Sequence, residues 1–141
     1  MGKVLTHLTM SLDGYIADPN DQVGDLFEWY QAGDVAMSTA NEDVSFQVDP
    51  ESAAMLRDLI GDAGALVSGR RLFDLTDGWG DEHPIGAPVV VVTHHVPDDA
   101  AEKWPRTTFI DGVAAAIDEA KRIAGERNVI ISSATLAQQA L

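Results

Sequence analysis

The stretch ALVSGRRLFDLTDGW, residues 65–79, places two of the chain's few cations side by side. Three apolar residues, Ala65–Val67, lead through Ser68 to Gly69, and Arg70 and Arg71 then open a helix-like pattern. The whole chain holds nine Lys+Arg against 23 Asp+Glu. A helix that starts where a strand ends points unpaired N–H groups outward, a setting that favours an anion. A glycine there lets backbone approach closely, and two guanidinium groups add forked donors matched to phosphate. One reading is therefore a phosphate site on a strand-to-helix turn. The other is a pair of surface arginines answering nearby Asp74, Asp77 or Asp81. A short Gly-Arg motif does not choose between them.

Two further strand ends carry residues of the same kind. Residues 89–93 end in Thr93-His94-His95, a hydroxyl and two imidazoles that could touch the same ligand or simply be solvated. Two adjacent histidines lack a third and fourth partner, so no metal site is expected. Residues 128–131 lead into Ser132-Ser133-Ala134-Thr135, which reads as a helix cap and equally as a second phosphate cradle. Near the N-terminus, Ser11, Asp13 and Gly14 form a Ser-x-Asp-Gly turn. Asp13 could orient a polar ring or bond a substrate hydroxyl, or Asp-Gly could serve only to turn the chain. Glu28, Trp29 and Trp79 could line a pocket, since aromatic rings stack on flat heterocycles, or they could anchor loops.

These residues need elements to position them. Residues 4–12 alternate, with Val4, Thr6, Leu8, Met10 and Leu12 on one face, which predicts a strand. Residues 18–25 are a polar loop, and 35–48 are ambiguous, leaning towards a short helix. Asp49-Pro50-Glu51 predicts a helix start, with Ala53, Leu56, Leu59 and Ile60 as its buried stripe. Strands are expected at 65–68, 89–93, 107–110 and 128–131. Helices are expected at 70–76, from an Asp111 cap to Gly125, and from Ser133 to Leu141. Residues 77–88 read as a Gly- and Pro-punctuated loop. Alternation of this kind predicts an α/β layered fold with a mainly parallel sheet.

The length, 141 residues, suits one domain, and 45% hydrophobic with 23% charged residues is ordinary globular usage. A formal charge of −14 disfavours nucleic acid and anionic membrane as partners. Any anion must be drawn by a local cluster. The absence of cysteine removes disulfides, thiolate zinc sites and a thiol nucleophile. No signal-peptide pattern or membrane-length apolar run is present, and a cytoplasmic protein is expected.

The order SLDGYIAD (11–18), LVSGRRLFD (66–74), GWGDEHPIGAPVVVVTH (78–94), helix 112–124, NVII and SATLAQQAL (133–141) resembles the dihydrofolate reductase-like family, in its riboflavin-biosynthesis reductase branch. The resemblance implies a three-layer fold with a central mainly parallel sheet, and a reduced nicotinamide cofactor, NADPH. It carries cofactor binding onto Gly69, Arg70, Arg71, Thr93 and His94, and onto Ser132, Ser133, Ala134 and Thr135. It carries the substrate pocket onto Ser11, Asp13 and Gly14, with Asp13 closest to the chemistry. The family has Gly-Gly where this chain has Ser132-Ser133, and its domains continue with further strands, so a domain incomplete at its C-terminus and a homodimer are expected. The implied function is NADPH-dependent hydride transfer to a pteridine- or pyrimidine-like molecule. The alternatives are a non-catalytic ligand-binding or dimerising module of the same fold, or an enzyme using another cofactor, such as a flavin.

Overall fold

Ala63–Ser68 and Val89–Val91 are buried at every position, so each strand needs cover on both faces and hydrogen-bonded neighbours on both sides. The computed structural model, which describes residues 2–141, meets both needs. Five parallel strands stand in the order β1-β7-β4-β5-β6: β1 (Val4–Thr6), β7 (Asn128–Ile131), β4 (Ala63–Gly69), β5 (Val89–Val92) and β6 (Thr108–Ile110). Leu66 pairs with Val89 on one side and Ile130 on the other.

Period two sorts the strand residues into two cores. Leu66, Val89, Val91 and Ile130 face Phe73 of α2 (Arg70–Leu75), Ala100 of α3 (Ala100–Lys103) and Trp104. Ala65, Val67, Val90, Val129 and Ile131 face Ala116, Ala120 and Ala124 of α4 (Val113–Ala124) and Leu136 of α5 (Ala134–Ala140). Small residues on α4 let it lie close on the sheet. Helices on both faces make three layers. α1 (Pro50–Asp62) starts as expected, with Asp49 Oδ1 accepting from the backbone of Glu51 and Ser52 at 3.0 Å each. The Ser52 hydroxyl, followed by these backbone bonds, holds the Asp49 carboxyl below its ordinary value.

Several local expectations are corrected. Residues 35–48 are no helix but an antiparallel hairpin, β2 (Val35–Ser38) with β3 (Ser45–Val48). Met37 and Val48 alternate inward against Ala53 and Leu56, so the period is two. The first strand stops at Thr6, because β7 ends at Ile131 and the last rung is His7 N–H to the Ile131 carbonyl at 3.3 Å. Met10 and Leu12, expected on its apolar face, are exposed. A 3-10 helix at Gly24–Gln31 follows the polar loop. Helix α4 is preceded by Gly112 rather than capped by Asp111, whose carboxylate turns to His94 instead. Ser133 does not cap α5 with its side chain; that hydroxyl is bonded to β4.

The 77–88 link contains a left-handed turn. Asp77, Gly78, Trp79, Gly80 and Asp81 all have φ between 49° and 65°. Such a run costs free energy at its non-glycine residues. Outside contacts hold it in place. The Trp104 indole donates to the Asp77 carbonyl (3.2 Å), Asn41 to the Trp79 and Glu82 carbonyls, and Asp81 accepts from Arg106 N–H and the Thr107 hydroxyl. His83 completes the link, with Nδ1 accepting the Ile85 N–H at 3.1 Å and its ring edge-on to Trp79. Burial lowers its pKa to about 4.

Two outcomes follow. A Cβ on Gly78 would stand 2.5 Å from Trp104 Nε1 and 2.7 Å from the Phe73 ring. Gly78→Ala is expected to cost about 2–4 kcal/mol in urea unfolding, combining overpacking with left-handed strain; a loss under about 0.5 kcal/mol would contradict this packing. For His83, the folded pKa lies below the unfolded 6.5. Its contribution is therefore full above pH 6.5 and declines as pH falls towards 4. The total is on the order of 3 kcal/mol. Unfolding measured across pH 7 to 4 should show His83→Asn, which keeps an acceptor but cannot titrate, losing less stability than wild type.

Candidate functional site at the carboxyl edge of the sheet

Because the five strands are parallel, their carboxyl ends share one edge. It receives His7 from β1, Ser132 and Ser133 from β7, Gly69–Arg71 from β4, Thr93 and His94 from β5, and Asp111 from β6. The strand order reverses between β4 and β7. After β4 the chain moves by α2 to β5 and β6, then returns by α4 to β7 on the other side. Helix α2 enters one apolar layer through Phe73, and α5 the opposite layer through Leu136. A reversal of this kind opens a crevice between two strand ends, where ligands collect in open α/β sheets.

Here that crevice is bridged. The Gly69 N–H donates to Ser133 Oγ at 2.8 Å, and a Cβ on Gly69 would come within 3.2 Å of that oxygen. The glycine thus admits the serine side chain closely. Ser132 continues the ladder, its N–H donating to the Val67 carbonyl at 3.0 Å and its hydroxyl reaching the same oxygen at 3.3 Å. Ala134 and Thr135 form the first turn of α5, which has no side-chain cap.

Two arginines and one imidazole at the edge each meet a carboxylate. Arg70 donates Nε to Asp74 (2.8 Å) and Nη1 to the His95 carbonyl (2.6 Å), with a longer approach to Thr93 Oγ1 (3.4 Å). Buried Thr93 in turn donates its hydroxyl to the His95 carbonyl at 3.0 Å. Arg70 therefore staples α2 to the end of β5. Arg71 reaches Asp21, fifty residues earlier, through Nε (3.0 Å) and Nη2. His94 Nδ1 lies 2.7 Å from Asp111 Oδ1, and both are exposed. Arg71, Arg70, Asp21, Asp74 and Leu75 line an open groove. The exposed Arg71 and His94 face solvent, while Arg70 is half-buried.

The N-terminal residues lie on the loop that leaves the same edge. Ser11 donates its hydroxyl to Asp13 Oδ1 at 2.6 Å and accepts the Tyr15 N–H at 3.0 Å, so both make the turn that exposes Asp13 and Gly14. Trp29 stacks on Tyr30 with ring centroids 4.0 Å apart, and its indole approaches Thr9 Oγ1 at 3.4 Å. Glu28 is exposed. Trp79 belongs to a different place: it packs on the first apolar layer against Phe73 and His83.

Three edge residues escaped sequence reading. Asp21 looked like one polar loop residue among several, and Asp111 like a helix cap. His7 lay in the strand pattern, on the face shared with Leu5, Thr9 and Ser11. Its Nε2 is buried with no hydrogen-bond partner among the described residues, and burial lowers its pKa, leaving a neutral imidazole at pH 7. A buried nitrogen without a partner is costly unless a ligand or water supplies one. Its signal in sequence was the one imidazole in an otherwise hydroxyl and aliphatic face.

No family model matches the chain, and no curated protein matches its sequence. Its structure resembles a crystal structure from Shewanella sp. PV-4 provisionally named a riboflavin biosynthesis protein. The two share 20% identity at a TM-score of 0.65, covering 99% of this chain and 68% of that one. At that identity the likeness establishes the fold, and the three-layer dihydrofolate reductase-like arrangement with a central parallel sheet is the one observed. Among the described residues, no helix is long and apolar enough to cross a membrane.

The bridge across the crevice can be tested by removing one hydroxyl at a time. Ser133→Ala strands the Gly69 N–H and should cost about 1–2 kcal/mol in urea unfolding. Ser132→Ala should cost less than half as much, since the Val67 carbonyl keeps its backbone donor. Equal losses would mean that Ser133 does not join β4 to β7.

Proposed function

We propose that the carboxyl edge binds a nicotinamide dinucleotide, NADPH by preference, and that the protein is a reductase acting on a pteridine- or pyrimidine-like small molecule. The observation that carries this is the placement of Gly69–Arg71 and Ser132–Thr135 at the reversal point of a parallel sheet, with Thr93–His94 at the adjoining strand end. The fold shared with a protein provisionally named for riboflavin biosynthesis supports it. The residues fit the anionic part of such a cofactor. Arg71 and His94 hold exposed donors, and Arg70 keeps the α2 end fixed against β5. Ser133 occupies the crevice floor, so phosphate would lie outside it, towards Arg71 and His94.

A bound reduced nicotinamide would supply hydride to an electron-poor ring. The chain's own part is to bind, align and exclude water. Asp13, exposed on the loop from β1, would orient a polar substrate group, with Ser11 fixing its carboxylate. Neutral His7 would offer its partnerless nitrogen to a polar atom at the same strand end. Trp29, stacked on Tyr30, and Glu28 would border a flat ring.

A second reading, a non-catalytic ligand-binding or dimerising module, draws on the filled crevice and on the fact that Arg70, Arg71 and His94 already have carboxylate partners. Titration with NADPH and NADH, followed by nicotinamide fluorescence, separates the two. The reductase reading expects saturable binding, tighter for NADPH. Arg71→Ala should weaken NADPH by about 1–3 kcal/mol and NADH less. Equal losses would contradict a role for Arg71 at the 2′-phosphate, and no binding of either cofactor would leave the module.

A further inference from the structure

We propose that Asp21 is a built-in competitor for the anion site: its carboxylate holds Arg71 in the free protein, and a ligand phosphate exchanges with it and frees the loop at residues 18–22. This rests on the reading of the edge as a phosphate site.

The loop is built to present that one side chain. Asp18 Oδ1 accepts the N–H groups of Asn20 (2.7 Å) and Gln22 (2.9 Å), and the Asp18 N–H donates to the Gln22 carbonyl at 2.9 Å. The Asp21 N–H closes onto the Asp18 carbonyl at 3.0 Å, with Asp21 left-handed at φ 61°. The result is a tight turn with Asp21 at its apex, docked on the second residue of α2.

The contact is of an exchangeable kind. Arg71 Nε and Nη2 both meet a single oxygen, Asp21 Oδ2. This differs from the two parallel bonds of a fork-to-fork pair, the strong guanidinium–carboxylate arrangement. The Arg71 side chain is 76% exposed, so solvent competes and the pair contributes little to stability. A phosphate offers several oxygens and more charge to the same donors. The neighbouring carboxylate Asp74 is already taken by Arg70 Nε, which leaves Asp21 as the group that masks Arg71. In a chain of net charge −14, such masking also keeps an exposed arginine from other anions until a ligand matches the whole edge.

Asp21→Asn tests the exchange with little disturbance of the turn, because Asn tolerates the left-handed backbone at least as well as Asp. Calorimetric titrations with inorganic pyrophosphate and with NADPH are compared for wild type, Asp21→Asn and Arg71→Gln. Amide hydrogen exchange is followed over residues 18–25. Removing the competing charge is expected to tighten both ligands about two- to fivefold, the scale of a partly exposed ion pair. Arg71→Gln is expected to weaken both. Saturating pyrophosphate should speed exchange of the loop amides in wild type at least twofold, towards the rate of free Asp21→Asn. Unchanged or weaker affinity in Asp21→Asn, or loop exchange indifferent to ligand, overturns the proposal. Pyrophosphate behaving as expected while NADPH binds no form would instead sink the dinucleotide reading and keep the exchange. NADPH binding both proteins equally would keep that reading and sink the exchange, and no binding of either probe overturns both.

Discussion

The arrangement depends on a strand that is apolar on both faces. From Ala63 to Ser68, β4 has no side that can face water, so it must lie inside a sheet with a layer on each face. Its backbone finds parallel partners in β5 and β7, and its alternate side chains seed two separate cores. Parallel pairing requires crossover connections, and those crossovers are the helices that cover the faces. The shared carboxyl edge is a consequence. No residue at that edge chose its neighbours; the burial of β4 and β5 did.

The donors at the edge are already answered by the chain's own carboxylates. Arg70, Arg71 and His94 each have a carboxylate, and these come from three different places: one turn along the same helix, a distant loop, and the end of the neighbouring strand. On the proposed reading, ligand charge would replace protein charge at Arg71, and affinity there would reflect a difference between two ion pairs. Arg70 differs in kind, because its bonds to the His95 carbonyl and Thr93 join secondary elements. Gly69 and Ser133 do the same for β4 and α5. The edge therefore has a hydrogen-bonded floor, made of Gly69, Ser133, Thr93 and Arg70, beneath the exposed side chains of Arg71 and His94.

The far end of the sheet contrasts with it. There the left-handed turn at 77–81 and the buried His83 are held by bonds from the hairpin loop, Trp104 and residues 106–107. Strain at that end is over-determined by structural contacts. Trp79, which the sequence offered as a pocket wall or a loop anchor, packs there with Phe73 and His83.

Much of the fold was legible in the residues. Continuous β-branched runs marked β5 and β7, the apolar run Ala65–Val67 marked β4, Asp49-Pro50 marked the start of α1, and Gly125 marked the end of α4, because each is a local rule of burial, capping or turn geometry. The strand-to-helix turns bearing Arg70 and Ser132, and the strand end bearing Thr93, could be read for the same reason, whereas the short helix α3 was not marked in its polar link. Tertiary structure alone decided what those turns meet. Residues 35–48 became a hairpin because α1 offered Ala53 and Leu56 to one alternate face. The first strand ended at Thr6 because its partner ran out, a fact held by β7 and not by residues 4–12. Asp21 found Arg71, Asp111 found His94, and Ser133 found Gly69 across separations of 50, 17 and 64 residues. Hydrogen bonds to side chains at such distances leave no periodicity in a sequence, so only the folded chain could assign them.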